Sequence, residues 1–173
     1  QPAGAAPACA QRAGERWTEP VLRPSDDGGS RPEFAAFRRE VRAIVARRAV
    51  EALVRLAHPD IKISFGGDEG IEAFRAVITS ADHDFWAEFG SILSMGGSFG
   101  EGDSFTAPYV FADWPQQFDA FSCVAVVGRA VAVRRAPVLT APLLATLDYR
   151  IVEAVVEAQP VAGWTRVRLR LHD

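Results

Sequence analysis

The C-terminal third of the chain decides the fold, and it reads CVAVVGRAVAVRRAPVLTAPLLATLDYRIVEAVVEAQPVAGWTRVRLRL from Cys123 to Leu171. Short runs rich in valine, leucine and isoleucine alternate with glycine, proline and aspartate, a pattern typical of short strands joined by turns. In the last run, apolar Val167 and Leu169 alternate with arginines, so one face of that strand should lie on a core and the other in solvent. The stretch predicts a small β-barrel module.

The chain before this module has helical periodicity. One apolar stripe begins at Phe34 and loses its phase near residues 47–49, which predicts two helices rather than one. Further stripes beginning at Ile71 and Phe85 predict two more helices, the second of them capped by Asp82 or Asp84. This part of the chain is therefore expected to be mostly helical.

Two extended segments are expected within the helical part. Ile61, Ile63 and Phe65 alternate with polar residues, which predicts a half-buried strand. Residues 105–111 are predicted to be a strand or an extended segment. We therefore expect an α+β fold in which a mostly helical domain with a short strand or two is followed by the small β-barrel.

The domain organisation follows from length and from shifts in composition. With 173 residues, the chain has room for one medium-sized domain or two small ones. Residues 1–30 are rich in small and polar residues and are predicted to be a flexible leader. A helical α+β domain is expected at 32–115 and the barrel at 119–173, with the boundary at residues 112–117.

Composition and charge narrow the function classes. Hydrophobic residues make up 49% and charged residues 24% of the chain, which is ordinary for a globular protein. Residues 1–59 carry 10 basic and 7 acidic side chains, residues 60–120 carry 2 and 11, and residues 121–173 carry 7 and 4. This division argues against nucleic-acid binding, which needs a concentrated basic face. The longest apolar run is far shorter than the roughly 18 residues of a membrane span, so no transmembrane segment is expected.

Four pieces of the C-terminal segment carry a family resemblance. They are Val131-Ala132-Val133-Arg134 followed by Ala136-Pro137, Pro142 to Leu147, Ile151 to Glu157, and Gly163-Trp164-Thr165-Arg166-Val167. In order and spacing, this segment resembles the bacterial SH3-like domain of envelope and cell-wall proteins. The resemblance implies an SH3-like barrel, and it covers about 50 of the 173 residues.

The segment departs from the family pattern in three places. Ala132 stands where the family usually has asparagine, and the glycine that often precedes the valine-rich strand is replaced around Tyr149 and Arg150. The family pattern also ends in a further glycine–tryptophan hairpin, whereas this chain stops at Asp173. The last barrel strand is therefore expected to be absent, to be replaced by another segment, or to lie outside this sequence.

The resemblance implies a non-catalytic, exported interaction protein, periplasmic or secreted, that contacts peptidoglycan or an envelope protein. The candidate ligand-binding residues offer cationic and stacking contacts to an acidic peptide or a glycan. They are Tyr149, Trp164, Arg166, Arg168 and Arg170. The alternative interpretation is that these arginines are simply solvated and discourage edge-to-edge strand pairing.

The two cysteines bear on export. Cys9 lies in the leader and Cys123 opens a β run. In an oxidising compartment they can form a disulfide, and otherwise they are two unrelated thiols. The chain begins at Gln1 without an initiator methionine, which fits either a mature exported form or a trimmed fragment.

The sequence also leaves open a second function, which belongs to the N-terminal domain. A small-molecule-binding or enzymatic N-terminal domain, tethered by the barrel, predicts a closed apolar pocket with polar groups inside. The pocket would be lined by Phe65, Phe74, Trp86 and Phe89, which otherwise form a solid core. No metal site or cofactor is expected, because the His, Asp and Glu residues lack the spacing of a metal motif.

Overall fold

The structure is a computed structural model, and it describes residues 20–64, 66–155, 159 and 161–169. The chain divides into two compact units. Among the described residues, the helical unit comprises 25–112, and the β unit comprises 20–24 together with 113–169. The α+β class is confirmed, with helices in the first half and small antiparallel sheets towards the C-terminus.

The helical unit contains five α-helices. These are α1 (Pro32–Ala46), α2 (Val50–Leu56), α3 (Ile71–Thr79), α4 (Phe85–Ser94) and α5 (Tyr109–Ala112). The predicted break between the first two is confirmed, and Arg48 lies there with a left-handed φ of 52°. The Asp84 side chain accepts a hydrogen bond from the Ala87 amide and caps α4, as one of the two predicted caps.

The core of the helical unit is formed by the apolar stripes of four helices. Its buried cluster comprises Ile44, Leu53, Val54 and Ile78, and the same unit also buries Val41, Val45 and Tyr109. Partly buried aromatic side chains pack on it: Phe74, Phe85, Trp86 and Phe89. Each of these helices thus places its apolar stripe on the others, as amphipathic helices do.

A two-stranded antiparallel sheet adjoins α1. Its strands are β1 (Ser98–Phe99) and β2 (Phe105–Thr106), joined across a 3₁₀ turn at Glu101–Asp103. A β-carbon at Gly97 would lie 2.1 Å from the Thr106 carbonyl oxygen, so only glycine fits beside the second strand. The segment predicted as extended over 105–111 is extended only at its start, because α5 follows the cis peptide bond at Ala107–Pro108.

The strand predicted from Ile61 to Phe65 is not formed over the described residues 61–64. The alternation of half-buried and exposed side chains is present, but ladder pairing is limited to one bridge between Lys62 and Glu69. Hydrogen bonds from Ile63 to Asp68 and from Gly70 to Ile61 close this segment into a turn. A strand needs a neighbouring strand to supply its hydrogen bonds, and this segment folds back on itself instead.

Residues 25–30, which the sequence assigns to the leader, make specific contacts with the helical unit. The Asp26 carboxylate accepts hydrogen bonds from Arg38 at 2.6 and 3.2 Å, and the Asp27 amide donates to the Gly97 carbonyl at 2.9 Å. A β-carbon on Gly28 would lie 1.6 Å from a guanidinium nitrogen of Arg38. The buried guanidinium of Arg38 therefore holds this segment through its ion pair with Asp26 and through its close packing against Gly28. Residues 1–19 of the predicted leader lie outside the described part of the chain.

The described residues of the β unit form five strands in two sheets. They are β3 (Cys123–Ala125), β4 (Val131–Arg134), β5 (Leu143–Leu147), β6 (Ile151–Ala154) and β7 (Val167–Arg168). All pairs are antiparallel: β6 lies between β3 and β7, while β4 and β5 form a separate hairpin. Hydrogen bonds among the described strands do not join the two sheets into a closed ring.

The start of the described chain belongs to the β unit. Val21 forms an antiparallel bridge with Arg150, and the Ile151 amide donates to the Pro20 carbonyl at 3.1 Å. Leu22 is buried with the other core side chains of this unit. Those are Phe118, Cys123, Ala141, Leu147, Ile151 and Val152. Across the described residues, we find no helix with the length and apolar character to span a membrane.

Candidate functional site

The predicted basic face lies on β7 and on the residues that lead into it. Arg166 and Arg168 are exposed while Val167 and Leu169 are half-buried, so the predicted alternation holds over these four residues. β7 pairs with β6 on one side and with no described strand on the other. Arginine side chains thus stand on the solvent face of an edge strand.

Arg168 is engaged within the sheet. It lies opposite Glu153 in the register of β6 and β7, and the two side chains form an ion pair. The Glu153 side chain is only 16% exposed whereas that of Arg168 is 60% exposed. The pair compensates a half-buried carboxylate, and a ligand for Arg168 has to compete with Glu153.

Trp164 and Arg166 occupy the turn and the extended segment before β7. Gly163 has a φ of 77°, which favours glycine, and it directs the chain into Trp164, whose amide donates to the Val161 carbonyl at 3.0 Å. The Arg166 carbonyl accepts from the Val155 amide at 2.9 Å, which extends the pairing of β6 and β7 by one step. The half-buried Trp164 and the exposed Arg166 therefore precede the same end of β7.

Tyr149 lies at the other end of β6. It has a left-handed φ of 50°, its amide donates to the Gly128 carbonyl, and its carbonyl accepts from Leu22. Tyr149 lies before β6, whereas Arg166 is hydrogen-bonded to Val155 just after it. The length of β6, at about 3.3 Å per residue of extended chain, therefore separates Tyr149 from Arg166. The register does not bring Tyr149 to Trp164 and the arginines, and the predicted Arg170 lies outside the described residues.

Cys123 is buried in β3 and is disulfide-bonded. Its predicted partner, Cys9, lies outside the described residues. The backbone holds Cys123 closely, since its amide donates to the Asp119 carbonyl at 3.0 Å and its position pairs with Glu153 of β6. The cysteine thus lies in the same sheet as the basic face.

A second exposed surface was not anticipated from the sequence. The β4–β5 hairpin exposes apolar side chains on its strands and on the connecting loop: Val131 41%, Val138 51%, Leu139 80%, Leu143 54% and Leu144 47%. The signal for it is the absence of strict alternation, because neighbouring apolar residues on a strand must point to opposite faces and one face meets solvent. Phe121 of the same unit is 98% exposed and lies apart from the hairpin in sequence.

The helical unit has an open cleft of about 530 Å³ beside the start of α4. Its lining includes Arg48, His83, Asp84 and Trp86. The Arg48 guanidinium lies 3.0 Å from the Asp84 carboxylate. The hydrogen bond from the Ala87 amide, followed by the charge of Arg48, holds the pKa of Asp84 below its ordinary value. The cleft wall is therefore a neutralised ion pair beside an indole ring.

The closed pocket predicted between aromatic residues is not formed by those that are described. Phe74 and Phe89 pack on the helical core, and the ring of Phe85 lies 6.1 Å from that of Phe74 and 5.4 Å from that of Phe89. Of the described members of the predicted set, Trp86 lines the open cleft, whereas Phe74 and Phe89 do not. Phe65 lies outside the described residues. Mutual packing of the rings fills the space that a pocket would need.

No group of three or more metal-ligating side chains comes together within the described part of the chain. The chain matches no family model, and no curated protein or solved structure shows significant similarity to it. The SH3-like barrel expected at residues 119–173 therefore remains a prediction from the sequence motifs.

Proposed function

We propose that the protein is a non-catalytic, exported interaction protein whose C-terminal module, an SH3-like barrel, contacts peptidoglycan or an envelope protein. The observation that carries the proposal is that β7 lies at a sheet edge among the described strands, with Arg168 in it and Arg166 just before it both exposed. Such an edge can accept a further strand from a partner, and arginine forms paired hydrogen bonds with carboxylates. Peptidoglycan stem peptides supply both an extended backbone and carboxylates.

The arrangement of strands supports the SH3-like assignment. The first three sequence pieces that carry the resemblance each contain a strand of the structure, namely β4, β5 and β6, and the fourth ends at Val167, the first residue of β7. In the proposed barrel, the β4–β5 hairpin would pack over the three-stranded sheet. Export to an oxidising compartment is supported by the disulfide at Cys123, since disulfides persist in such compartments.

Co-sedimentation with purified cell-wall sacculi tests this function. We expect the full chain to pellet with sacculi and the Arg166→Ala/Arg168→Ala variant to bind about tenfold more weakly, the loss expected for one charged hydrogen bond. Arg23→Ala/Arg129→Ala is the matched control, because it removes the same charge from exposed positions of the same unit.

Protease treatment of the sacculi separates the two partners. Binding that survives removal of attached proteins assigns the contact to peptidoglycan, and binding that is lost assigns it to an envelope protein. If the full chain pellets with neither preparation, or if both variants bind equally, the proposed contact through β7 is wrong.

A second candidate function is small-molecule binding in the open cleft of the helical unit. The favouring observation is the combination of the Trp86 ring with His83 and the Arg48–Asp84 pair on one wall. A small-molecule library screened by thermal shift tests it. Hits that persist unchanged in a Trp86→Ala variant would place binding elsewhere.

A further inference from the structure

The loop between β4 and β5 forms an apolar tip above a cationic neck. At the neck, the Arg135 amide donates to the Pro142 carbonyl at 3.0 Å, and the Arg134 guanidinium donates to the Ala141 carbonyl at 2.8 Å. The Ala141 amide donates to the Val138 carbonyl at 3.1 Å, which closes a turn with Leu139 in it. The hydrogen bonds hold residues 135–142 in a compact loop.

The tip of this loop carries large apolar side chains in solvent. Leu139 is 80% and Val138 is 51% exposed, and the adjoining β5 residues Leu143 and Leu144 are 54% and 47% exposed. A single exposed leucine is ordinary on a protein surface, but several large exposed apolar side chains on one hairpin and its loop indicate a contact surface.

The charged side chains of the β4–β5 hairpin have one sign, and the first acidic residue after it is Asp148. From Arg129 to Leu147 the sequence contains three arginines and no aspartate or glutamate. Two of those arginines, Arg134 and Arg135, adjoin the loop, and Arg135 is exposed. In an anionic lipid surface the phosphates lie outside the acyl chains. If the loop tip enters such a surface, its apolar side chains reach the acyl chains while the arginines behind them stay at the level of the phosphates.

We propose that the 135–142 loop inserts its tip into an anionic lipid surface and so attaches the β unit peripherally to a membrane. Leu139 and Val138 enter the boundary between headgroups and acyl chains, and the arginines at the neck contact lipid phosphates. A loop tip with two large exposed apolar side chains suits a soft bilayer, because a rigid protein partner would have to offer a matching cavity. This contact is separate from the edge of β7 and does not depend on the function proposed above.

Vesicle co-sedimentation of the full chain tests the proposal. We expect pelleting with phosphatidylglycerol–phosphatidylcholine vesicles, and much less with phosphatidylcholine alone. Val138→Ser/Leu139→Ser should weaken binding by about tenfold, since roughly half the burial energy of two aliphatic side chains is lost. The control is Phe121→Ser, which removes a larger exposed apolar side chain from the same unit.

Charge substitutions separate insertion from simple attraction. Arg135→Glu should weaken binding to anionic vesicles by about fivefold or more, and raised salt should weaken the binding of the unmodified protein. Arg129→Glu, the same charge change at the far end of β4, should have the smaller effect. All these positions are exposed, so circular dichroism should show each variant folded.

Three outcomes overturn the proposal. They are absence of binding to anionic vesicles, equal binding to neutral and anionic vesicles, and an effect of Phe121→Ser as large as that of the tip variant. If the tip variant loses binding to sacculi or to an envelope protein while vesicle binding is absent, the loop is a protein or glycan contact and the lipid assignment is wrong.

Discussion

Similar apolar side chains are buried in the helical unit and exposed on the hairpin of the β unit. In the helical unit, Ile44 and Ile78 are each 3% exposed because the stripes of several helices cover one another. In the β unit, Leu139 in the hairpin loop is 80% exposed, although Leu147 at the far end of β5 in the same hairpin is 6% exposed. Apolar content alone therefore does not distinguish a core from a contact surface. What distinguishes them is whether another element of the same unit covers the side chain.

The largest expected effect concerns the covalent link of the β unit. If Cys9 is the partner of Cys123, the disulfide closes a loop of more than 100 residues, and its loss should lower the free energy of unfolding by on the order of 4 kcal/mol. Urea unfolding of a Cys9→Ser variant measures this without disturbing the buried Cys123 side chain. Peptide mapping without reductant is the control, and a midpoint insensitive to reductant would contradict the pairing.

Truncation of a covered and an uncovered side chain tests the comparison directly. Ile44→Ala should destabilise the helical unit by about 3 kcal/mol, because it leaves a cavity among packed side chains. Leu139→Ala should change stability by less than about 0.5 kcal/mol, because it removes a side chain that is mostly in water. Hydrogen exchange resolved by mass spectrometry assigns each change to its unit. Equal destabilisation by Ile44→Ala and Leu139→Ala would contradict the distinction between covered and uncovered side chains.

The contact between Asp26 and Arg38 should have the next largest effect. Asp26→Asn leaves the guanidinium of Arg38, whose side chain is 10% exposed, without its anion. We expect a loss of about 2 kcal/mol, less than for a fully buried pair because Asp26 stays half exposed. Asp103→Asn is the matched control, since its pair with Arg31 is exposed and should contribute less than about 0.5 kcal/mol. Chemical denaturation compares the two variants.

Both units should lose stability in acid for the same reason. The pKa of Asp26 is lowered by its hydrogen bond from Arg38, and that of Asp119 in the β unit is lowered by hydrogen bonds from Ser122 and Phe121. A carboxyl whose pKa is lower in the folded state stabilises above its unfolded value of 3.8, and this stability is lost as the pH falls through the folded pKa. Thermal melts from pH 6 to pH 2.5 measure the loss, and Asp26→Asn should reduce it.

The smallest expected effect is that of the cross-strand pair on the basic face. Glu153→Gln should change stability by about 0.5 kcal/mol, because Arg168 is largely exposed. It also releases Arg168 from its carboxylate, so retention on sacculi should rise under the proposed function. Sedimentation of the variant beside the unmodified chain measures both the sign and the size. A fall in retention would show that Glu153 itself belongs to the contact.

Local signals in the sequence predicted much of the helical unit. The slip of the apolar stripe before α2 and the aspartate before α4 each report on a few neighbouring residues, and helices are built from such neighbours. The prediction of a strand at Ile61 is wrong because alternation indicates which side chains face inward but not whether a second strand is present. The contact of Asp26 with Arg38 was missed because nothing in a flexible-looking glycine-rich segment shows which distant cation it meets.

The candidate site could be predicted only in part for the same physical reason. The alternation at Arg166 to Leu169 fixes which side chains face solvent, and that local property is found in the structure. Whether Tyr149 joins them depends on the register between β6 and β7, which no local pattern shows. The exposure of Leu139 depends likewise on what covers the hairpin.

The bridge between Val21 and Arg150 affects the order in which the two units can fold during synthesis. The β unit takes one segment from before the helical unit and the rest from after it, so the helical unit is an insertion within the β unit. On the ribosome, residues 20–22 emerge more than 100 residues before the strand that they join, and closure of that long loop must wait. The helical unit, which is continuous from Ser25 to Ala112, can fold before that loop closes. Excising residues 25–112 should therefore leave a β unit able to assemble, whereas a fragment beginning at residue 113 should lack the Leu22 side chain from its core.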